Sequence, residues 1–121
     1  TVRVKEALSG VNPIVAADTN LAEAIVKMTE YGFGAITVIN ADGSLKGVFT
    51  DGDLRRKLTS DGRDVLGKNI GDFTYNQPIA IEGGALLNEA AGLFKSTKVD
   101  TILVTENGKP IGMLDIQDLE A

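Results

Sequence analysis

One unit occurs twice in this chain, and that repeat limits the fold more than any other feature. Pro13-Ile14 returns as Pro78-Ile79, 65 positions on. Leu21, Ala24, Ile25 and Met28 return as Leu87, Ala90, Ala91 and Phe94, and Ile36 and Val38 as Ile102 and Val104, all 66 positions on. Asp42-Gly43, Gly47 and Asp53-Leu54 then match Asn107-Gly108, Gly112 and Asp118-Leu119, again 65 apart. The register gains one residue before a helix and loses one in a turn. Such self-similarity marks two copies of one supersecondary unit. A unit of about 50 residues buries too little surface to stand alone. Two copies packed face to face would share a core and form a cleft where they meet, a favoured place for small-molecule sites.

Each copy reads as an alternation of helix and strand. Leu21, Ala24, Ile25 and Met28 fall at i, i+3, i+4 and i+7, one helix face. Asp18 to Asn20 offers the N-cap, and Tyr31-Gly32 the end. Ala35 to Ile39 is β-branched and reads as a strand. Asn40 to Ser44, with its Asp-Gly pair, reads as a hairpin turn, and Lys46 to Phe49 as the returning strand. A second helix runs from Gly52 to about Ser60 and stops near Gly62. The second copy repeats the helix (Leu86 to Ser96), a strand (Thr101 to Val104), an Asn-Gly turn, a strand (Pro110 to Leu114) and a final helical turn. The expected class is α/β (α+β): two pseudo-symmetric repeats, each a small sheet with two flanking helices, packed as one module. The repeats divide at 1–62 and 63–121. Residues 61–72, polar and Gly-punctuated, read as the linker, with Arg63-Asp64 and Lys68-Asn69 solvated.

Composition removes several chemistries. The 121 residues include no Cys and no His. Disulfides, thiolate zinc sites, His bases and Ser-His triads are therefore out. A net charge of −5 and only six aromatics (four Phe, two Tyr) argue against a nucleic-acid partner. No apolar run nears the roughly 20 residues that cross a bilayer. A cytoplasmic setting without a membrane partner is the expectation. The chain opens almost at once on a patterned segment, so a piece of a longer protein is expected.

GVFTDGDLRR, residues 47–56, carries the candidate site. One reading is a capping box: Thr50 accepts from the Asp53 amide and Asp53 from the Thr50 amide, for about 1 kcal/mol and with no ligand. The other reading uses the same geometry. A helix N-terminus suits phosphate. Thr50 adds a hydroxyl donor, Asp53 accepts from sugar hydroxyls, and Arg55 and Arg56 add charge-assisted bonds. Gly47 and Gly52 let backbone approach a ligand. The second copy has Asp115 where the first has Thr50 and keeps the carboxylate as Asp118. Two carboxylates with no nearby Arg repel a phosphate, so capping fits both copies and phosphate binding only the first.

The paired unit, with G-h-h-T-x-x-D at the second strand-to-helix junction, resembles the CBS domain pair over nearly the whole chain. The resemblance implies a module with two clefts that commonly hold adenosine-containing ligands, with phosphate on Thr50 and ribose hydroxyls on Asp53. Asp118 matches in the second copy, while Asp115 departs from the Thr/Ser pattern and weakens the phosphate role there. Base contacts would fall near Asn12, Pro13, Ile14, Phe33, Gly34 and Ala35. Their counterparts are Gln77, Pro78, Ile79, Val99, Asp100 and Thr101. Phe49, between Gly47 and Thr50, completes the candidate set. The run Gly47 to Arg56 is similar to the C-terminal CBS pair of bacterial arabinose 5-phosphate isomerases. That resemblance implies a regulatory module, not itself an enzyme, attached to an N-terminal sugar-isomerase domain of Kdo and lipopolysaccharide synthesis. No cofactor is required. The implied regulatory ligand is CMP-Kdo or an adenine nucleotide (AMP or ATP). For CMP-Kdo, Asp53 would take the diol, Thr50 the phosphate, and Arg55, Arg56 or Lys98 the sugar carboxylate. Nothing in the residues separates cytosine from adenine. The resemblance also implies a homodimer, and the competing reading is a ligand-free dimerisation or interaction module.

Smaller features read blandly. Tyr75-Asn76-Gln77-Pro78 has an extended, pre-proline character and reads as a connecting loop, with contact to a base as the alternative. Asp51 with Asp53 lacks the further oxygen ligands a metal needs. Met28 and Leu93-Phe94 belong to the core or to a dimer face.

Overall fold

Helix α1 (Leu21–Tyr31) forms where the apolar spacing demands it, and both its ends are fixed locally. Asn20 Oδ1 accepts from the Glu23 amide at 2.9 Å, and Gly32 closes the helix in the left-handed region at φ 73°. Leu21, Ala24 and Met28 face inward and are buried. The computed structural model describes residues 1–73 and 75–120. Around α1 stand strands β1 (Ile14–Ala16), β2 (Ala35–Ile39) and β3 (Leu45–Thr50), and β3 runs directly into helix α2 (Asp51–Asp61). The second copy supplies β4 (Ala80–Glu82), α3 (Leu87–Thr97), β5 (Thr101–Glu106) and β6 (Lys109–Asp115). A short 3-10 segment, Ile116–Glu120, takes the place of α2.

The two sheets have the same topology. β1 pairs parallel with β2, and β2 antiparallel with β3. β4, β5 and β6 do likewise. The registers superimpose: Ile14 faces Thr37 as Ala80 faces Leu103, and Val38 faces Gly47 as Val104 faces Gly112. A register irregularity falls between Val38 and Ile39 and again between Val104 and Thr105. The residue lost between copies goes in the hairpin. Ile39 pairs with Leu45 across Asn40–Ser44, whereas Glu106 pairs with Lys109 across Asn107-Gly108, both at positive φ. That two-residue turn with left-handed Asn-Gly suits the twist of the flanking strands.

Compact units and sequence repeats divide the chain differently. By contacts, one unit is Pro13–Gln77 and the other is Thr1–Asn12 with Pro78–Ala121. The first core gathers Val15, Leu21, Ala24, Met28, Ile36, Val38 and Phe49, and adds Val65 and Ile70. The second gathers Ala90, Phe94, Ile102, Val104 and Leu114, and adds Val4. Residues 61–72 are thus not a solvated linker. They form 3-10 turns at Arg63–Gly67 and Ile70–Asp72, and Val65 and Ile70 are fully buried. Arg63, Asp64, Lys68 and Asn69 do expose their side chains. Yet Lys68 C=O accepts from Leu21 N–H at 2.9 Å, and Ile70 and Gly71 N–H donate to Thr19 and Ala17 C=O at 2.8 Å each. The N-terminal residues repeat this pattern on the other unit. Val2 C=O accepts from Leu87 N–H, and Val4 and Lys5 N–H donate to Ala85 and Gly83 C=O. Every one of these partners lies 66 positions from its counterpart. The leading segment of each repeat therefore closes the core built by the body of the other.

Candidate functional site

The pairing registers bring the candidate residues of the first copy to one end of its sheet. Ala35 faces Thr50, Thr37 N–H donates to Pro13 C=O at 2.8 Å, and Asp51 N–H donates to Gly34 C=O at 2.9 Å. Pro13, Ile14, Gly34, Ala35 and Thr50 thus cluster where β1 and β2 begin and β3 ends, with Phe33 just ahead of β2. Gly34 has φ +68°, and a Cβ there would stand 3.0 Å from Asp51 Oδ2. This turn therefore needs glycine twice over, for its backbone angle and for the carboxylate that covers it.

At the junction itself the capping box is present in full. Asp53 N–H donates to Thr50 Oγ1 at 3.1 Å, and Thr50 N–H donates to Asp53 Oδ2 at 2.9 Å. The Thr50 hydroxyl accepts in this bond, and its own proton remains able to donate. Four amides at the helix start lack an intrahelical acceptor by position. Those of Thr50, Asp51 and Asp53 bond to Asp53 Oδ2, Gly34 C=O and Thr50 Oγ1, and Gly52 carries the fourth. Arg56 Nη2 donates to Asp53 Oδ1 at 2.7 Å, an ion pair across one helical turn. Burial raises the Asp53 pKa. The bonds from Arg56 and Thr50 outweigh that, and the carboxyl sits below its ordinary value. Asp53 is therefore a carboxylate at neutral pH with both oxygens already accepting. Arg55 is exposed.

Two candidates serve the interior. Phe49 is 2% exposed and stacks on Phe73 with ring centroids 5.7 Å apart. Gly47 is buried under the ring of Tyr75, which occupies the space a side chain there would need. Tyr75 is the residue that sequence reasoning underrated. Its hydroxyl donates to Ile70 C=O at 2.7 Å, and burial, with the Asp53 charge second, pushes its pKa up. An aromatic just ahead of Pro78 was its only sequence signal. Gly112 repeats the arrangement, since a Cβ there would meet Leu8 Cδ1 at 3.1 Å.

The second junction keeps the backbone and changes the chemistry. Ile116 N–H donates to Asp100 C=O at 2.8 Å, matching the Asp51–Gly34 bond. Asp115 N–H donates to Asp118 Oδ2 at 2.8 Å, and Asp115 Oδ1 accepts from Gln117 N–H at 2.9 Å. Val99 and Thr101 flank Asp100 in sequence, and Lys98 caps α3 in the left-handed region at φ 60°. Asn12 falls in the same unit, where its Nδ2 donates to Pro110 C=O at 3.1 Å and its Oδ1 is buried without a partner. Pro78 and Ile79 lead into β4 there, while Gln77 ends the first unit. Among the described residues no cluster of three or more His, Cys, Asp or Glu side chains could hold a metal, and no helix is long and apolar enough to cross a membrane. A separate cavity of about 490 Å³ opens at the far end of α2, between Lys57, Asp61, Lys68, Asp72 and Phe73.

The comparisons with known proteins agree with this layout. Arabinose 5-phosphate isomerase KdsD of Pseudomonas aeruginosa is 33% identical over 108 residues, which are 88% of this chain and 33% of that protein. KdsD of Escherichia coli K12 is 30% identical over 107 residues, 88% of this chain and 32% of that protein. This chain spans about one third of the length of the curated relatives it matches. Among solved structures, CBSX2 in complex with AMP superposes with a TM-score of 0.79 at 25% identity, covering 99% of this chain and 94% of CBSX2. A CBS-domain protein from Agrobacterium tumefaciens superposes with a TM-score of 0.78 at 22% identity, covering 98% and 90%. The CBS domain family itself matches residues 4–60 and 70–120, two stretches whose starts lie the same 66 positions apart as the leading segments, and the chain belongs to that family as a tandem pair of CBS domains.

Proposed function

We propose that this chain is a regulatory module that binds a nucleotide or nucleotide sugar at the Thr50–Arg56 junction and acts on an attached arabinose 5-phosphate isomerase domain. The observation that carries the reading is the asymmetry of the two junctions. Capping alone is met at both, with Thr50–Asp53 at one and Asp115–Asp118 at the other. Only the first adds a hydroxyl, which can donate, and an arginine beside the carboxylate. Asp53 would take a sugar diol, Thr50 and the Gly52 amide a phosphate oxygen, and Pro13, Ile14, Phe33, Gly34 and Ala35 the base. The AMP complex of CBSX2 supports an adenine nucleotide. The likeness to KdsD supports the isomerase as parent. CMP-Kdo is the other candidate on chemistry alone: its ribose diol, single phosphate and sugar carboxylate suit Asp53, Thr50 and the arginines. Such a module would work in the cytoplasm, beside that enzyme.

The test is a thermal-shift series with AMP, ATP, CMP and CMP-Kdo on the wild type and on Thr50→Ala/Asp53→Ala. A ligand at 100 times its Kd adds about 2.7 kcal/mol. For a chain of this size that is a rise of about 10 °C. The reading expects one nucleotide to give such a rise and the double variant to lose it. No rise with any of them would leave the junction a helix cap.

A second reading, a dimerisation module, is favoured by the outer face of α1, where Val26 is 59% and Tyr31 40% exposed. Sedimentation of wild type and Val26→Glu would test it. A wild type that is monomeric at high concentration rejects that reading.

A further inference from the structure

We infer that Arg56 is an exchangeable partner of Asp53 that makes the junction select diols carrying an anionic group over neutral diols. This rests on the nucleotide reading above and adds the residue that sets its specificity. Both oxygens of Asp53 already accept, Oδ2 from the Thr50 amide at 2.9 Å and Oδ1 from Arg56 Nη2 at 2.7 Å. Each oxygen keeps a second lone pair, so a diol can bond beside the guanidinium or take its place at Oδ1; the exchange is the second case. The pair is built to give way. Arg56 is 70% exposed and spans a single helical turn, a setting in which ion pairs are weak.

The seat of the guanidinium is also specific. It lies over Gly52, where a Cβ would stand 3.2 Å from Nη1 and 3.3 Å from Nη2. Gly52 is thus the position that lets Arg56 fold back against the first turn, next to Thr50. The second repeat has Gln117 in place of Gly52, and Glu120-Ala121 in place of Arg55-Arg56. Seat and guanidinium are absent together, and Asp118 has no arginine beside it in sequence.

The exchange has a direction. A neutral diol displaces Arg56 and offers it nothing in return. A diol that also carries a phosphate or carboxylate gives the displaced guanidinium, with its five donors, a new charge-assisted partner. Arg56 thus penalises the first ligand and rewards the second. An arginine that only bound phosphate would leave neutral diols unaffected, and a merely structural one would weaken all ligands alike.

Calorimetric titration of the 121-residue chain with cytidine, CMP, adenosine and AMP tests this, on wild type, Arg56→Gln, Gly52→Ala and the distant control Arg63→Gln. The wild type and the control should favour the monophosphate over its nucleoside by about tenfold or more, the range of a hydrogen bond to a charged group. In Arg56→Gln the monophosphate should weaken and the nucleoside should tighten, so that the preference falls below about threefold. Gly52→Ala should move both in the same directions by less. A monophosphate that binds wild type, with nucleoside affinity in Arg56→Gln unchanged or reduced, overturns the exchange and leaves the nucleotide reading standing. If none of the four binds the wild type, the nucleotide reading falls and this inference falls with it.

Discussion

At the first junction the Thr50 amide reaches the Asp53 carboxylate at 2.9 Å, and at the second the Asp115 amide reaches Asp118 at 2.8 Å. The following amide is fixed in the same way in both, to Gly34 C=O in one and to Asp100 C=O in the other. The backbone is thus one design used twice. The side chains diverge around it. The first junction adds an arginine and the glycine that seats it and continues into the eleven residues of α2. The second adds an acidic cap and turns through the 3-10 segment Ile116–Glu120. Capping is needed wherever a strand meets a helical turn, so it explains what the repeats share. What they do not share is free of that requirement and is where a ligand-specific role is to be sought.

The comparison is broken most severely at the segments that close each core. Ile70 is fully buried in one unit, and Val4, its counterpart 66 positions away, in the other. Ile70→Ala should cost about 2–5 kcal/mol, the range for deleting a buried branched side chain. Val4→Ala removes less volume and should cost less. Hydrogen exchange would show which unit loosens. Ile70→Ala should release amides in 13–77 first, and Val4→Ala those in 78–120. Loss spread evenly over both by either change would contradict the division of the cores.

The covered glycines come next. A Cβ at Gly47 would lie 2.5 Å from Tyr75 Cδ1 and 2.6 Å from its Cβ, close to the stem of a ring whose hydroxyl is also tied down. At Gly112 it would meet the terminal methyls of Leu8 at 3.1 and 3.2 Å. Gly47→Ala should destabilise by about 1–3 kcal/mol through overpacking. Gly112→Ala should cost less, because the end of a leucine can shift. Urea denaturation of both variants checks the order, and equal midpoints would refute it.

Much of this architecture could be read before any coordinates, for physical reasons that vary by element. Leu21, Ala24, Ile25 and Met28 encode α1 because a helix face repeats every three to four residues. Asn107-Gly108 encodes the second hairpin because both residues tolerate positive φ. The capping box at Thr50 is local, so four residues suffice to see it. The leading segments were not legible. Each places one residue, Val4 or Ile70, in a core through backbone bonds to a distant stretch, and one apolar residue has no period. The 66-residue offset does extend back to that pair, but a single Val–Ile match carries little weight without the bonding pattern. For the same reason Tyr75 over Gly47, and Arg56 over Gly52, needed tertiary geometry. Phe49 read as part of the site because it is adjacent to Thr50, yet alternation along β3 turns it to the core.

Capping supplies a smaller effect. Thr50→Ala removes the acceptor of the Asp53 amide and should cost about 1 kcal/mol. Thr50→Ser keeps the oxygen and should recover most of that. If Ser were as damaging as Ala, the methyl rather than the hydrogen bond would be the stabilising group.

The smallest expected effect is the dependence of the first junction on acid. Burial raises the Asp53 pKa, but the Arg56 and Thr50 bonds lower it further, so the folded chain holds the carboxylate form more tightly than the unfolded chain does. The contribution is therefore complete above the ordinary carboxylate range, and it is lost as pH falls from about 4 through the depressed folded value. Asp53 keeps 35% of its side-chain surface, and solvent screening limits the effect to under about 1 kcal/mol. Wild type should exceed Asp53→Asn in unfolding free energy at pH 6, and the gap should close as pH falls from 5 to about 2. Arg56→Gln should narrow the gap at pH 6 without removing it, because the Thr50 amide still favours the carboxylate. Parallel pH profiles for wild type and Asp53→Asn would mean that the carboxylate adds nothing to folding. The repeats would then differ in ligand chemistry alone.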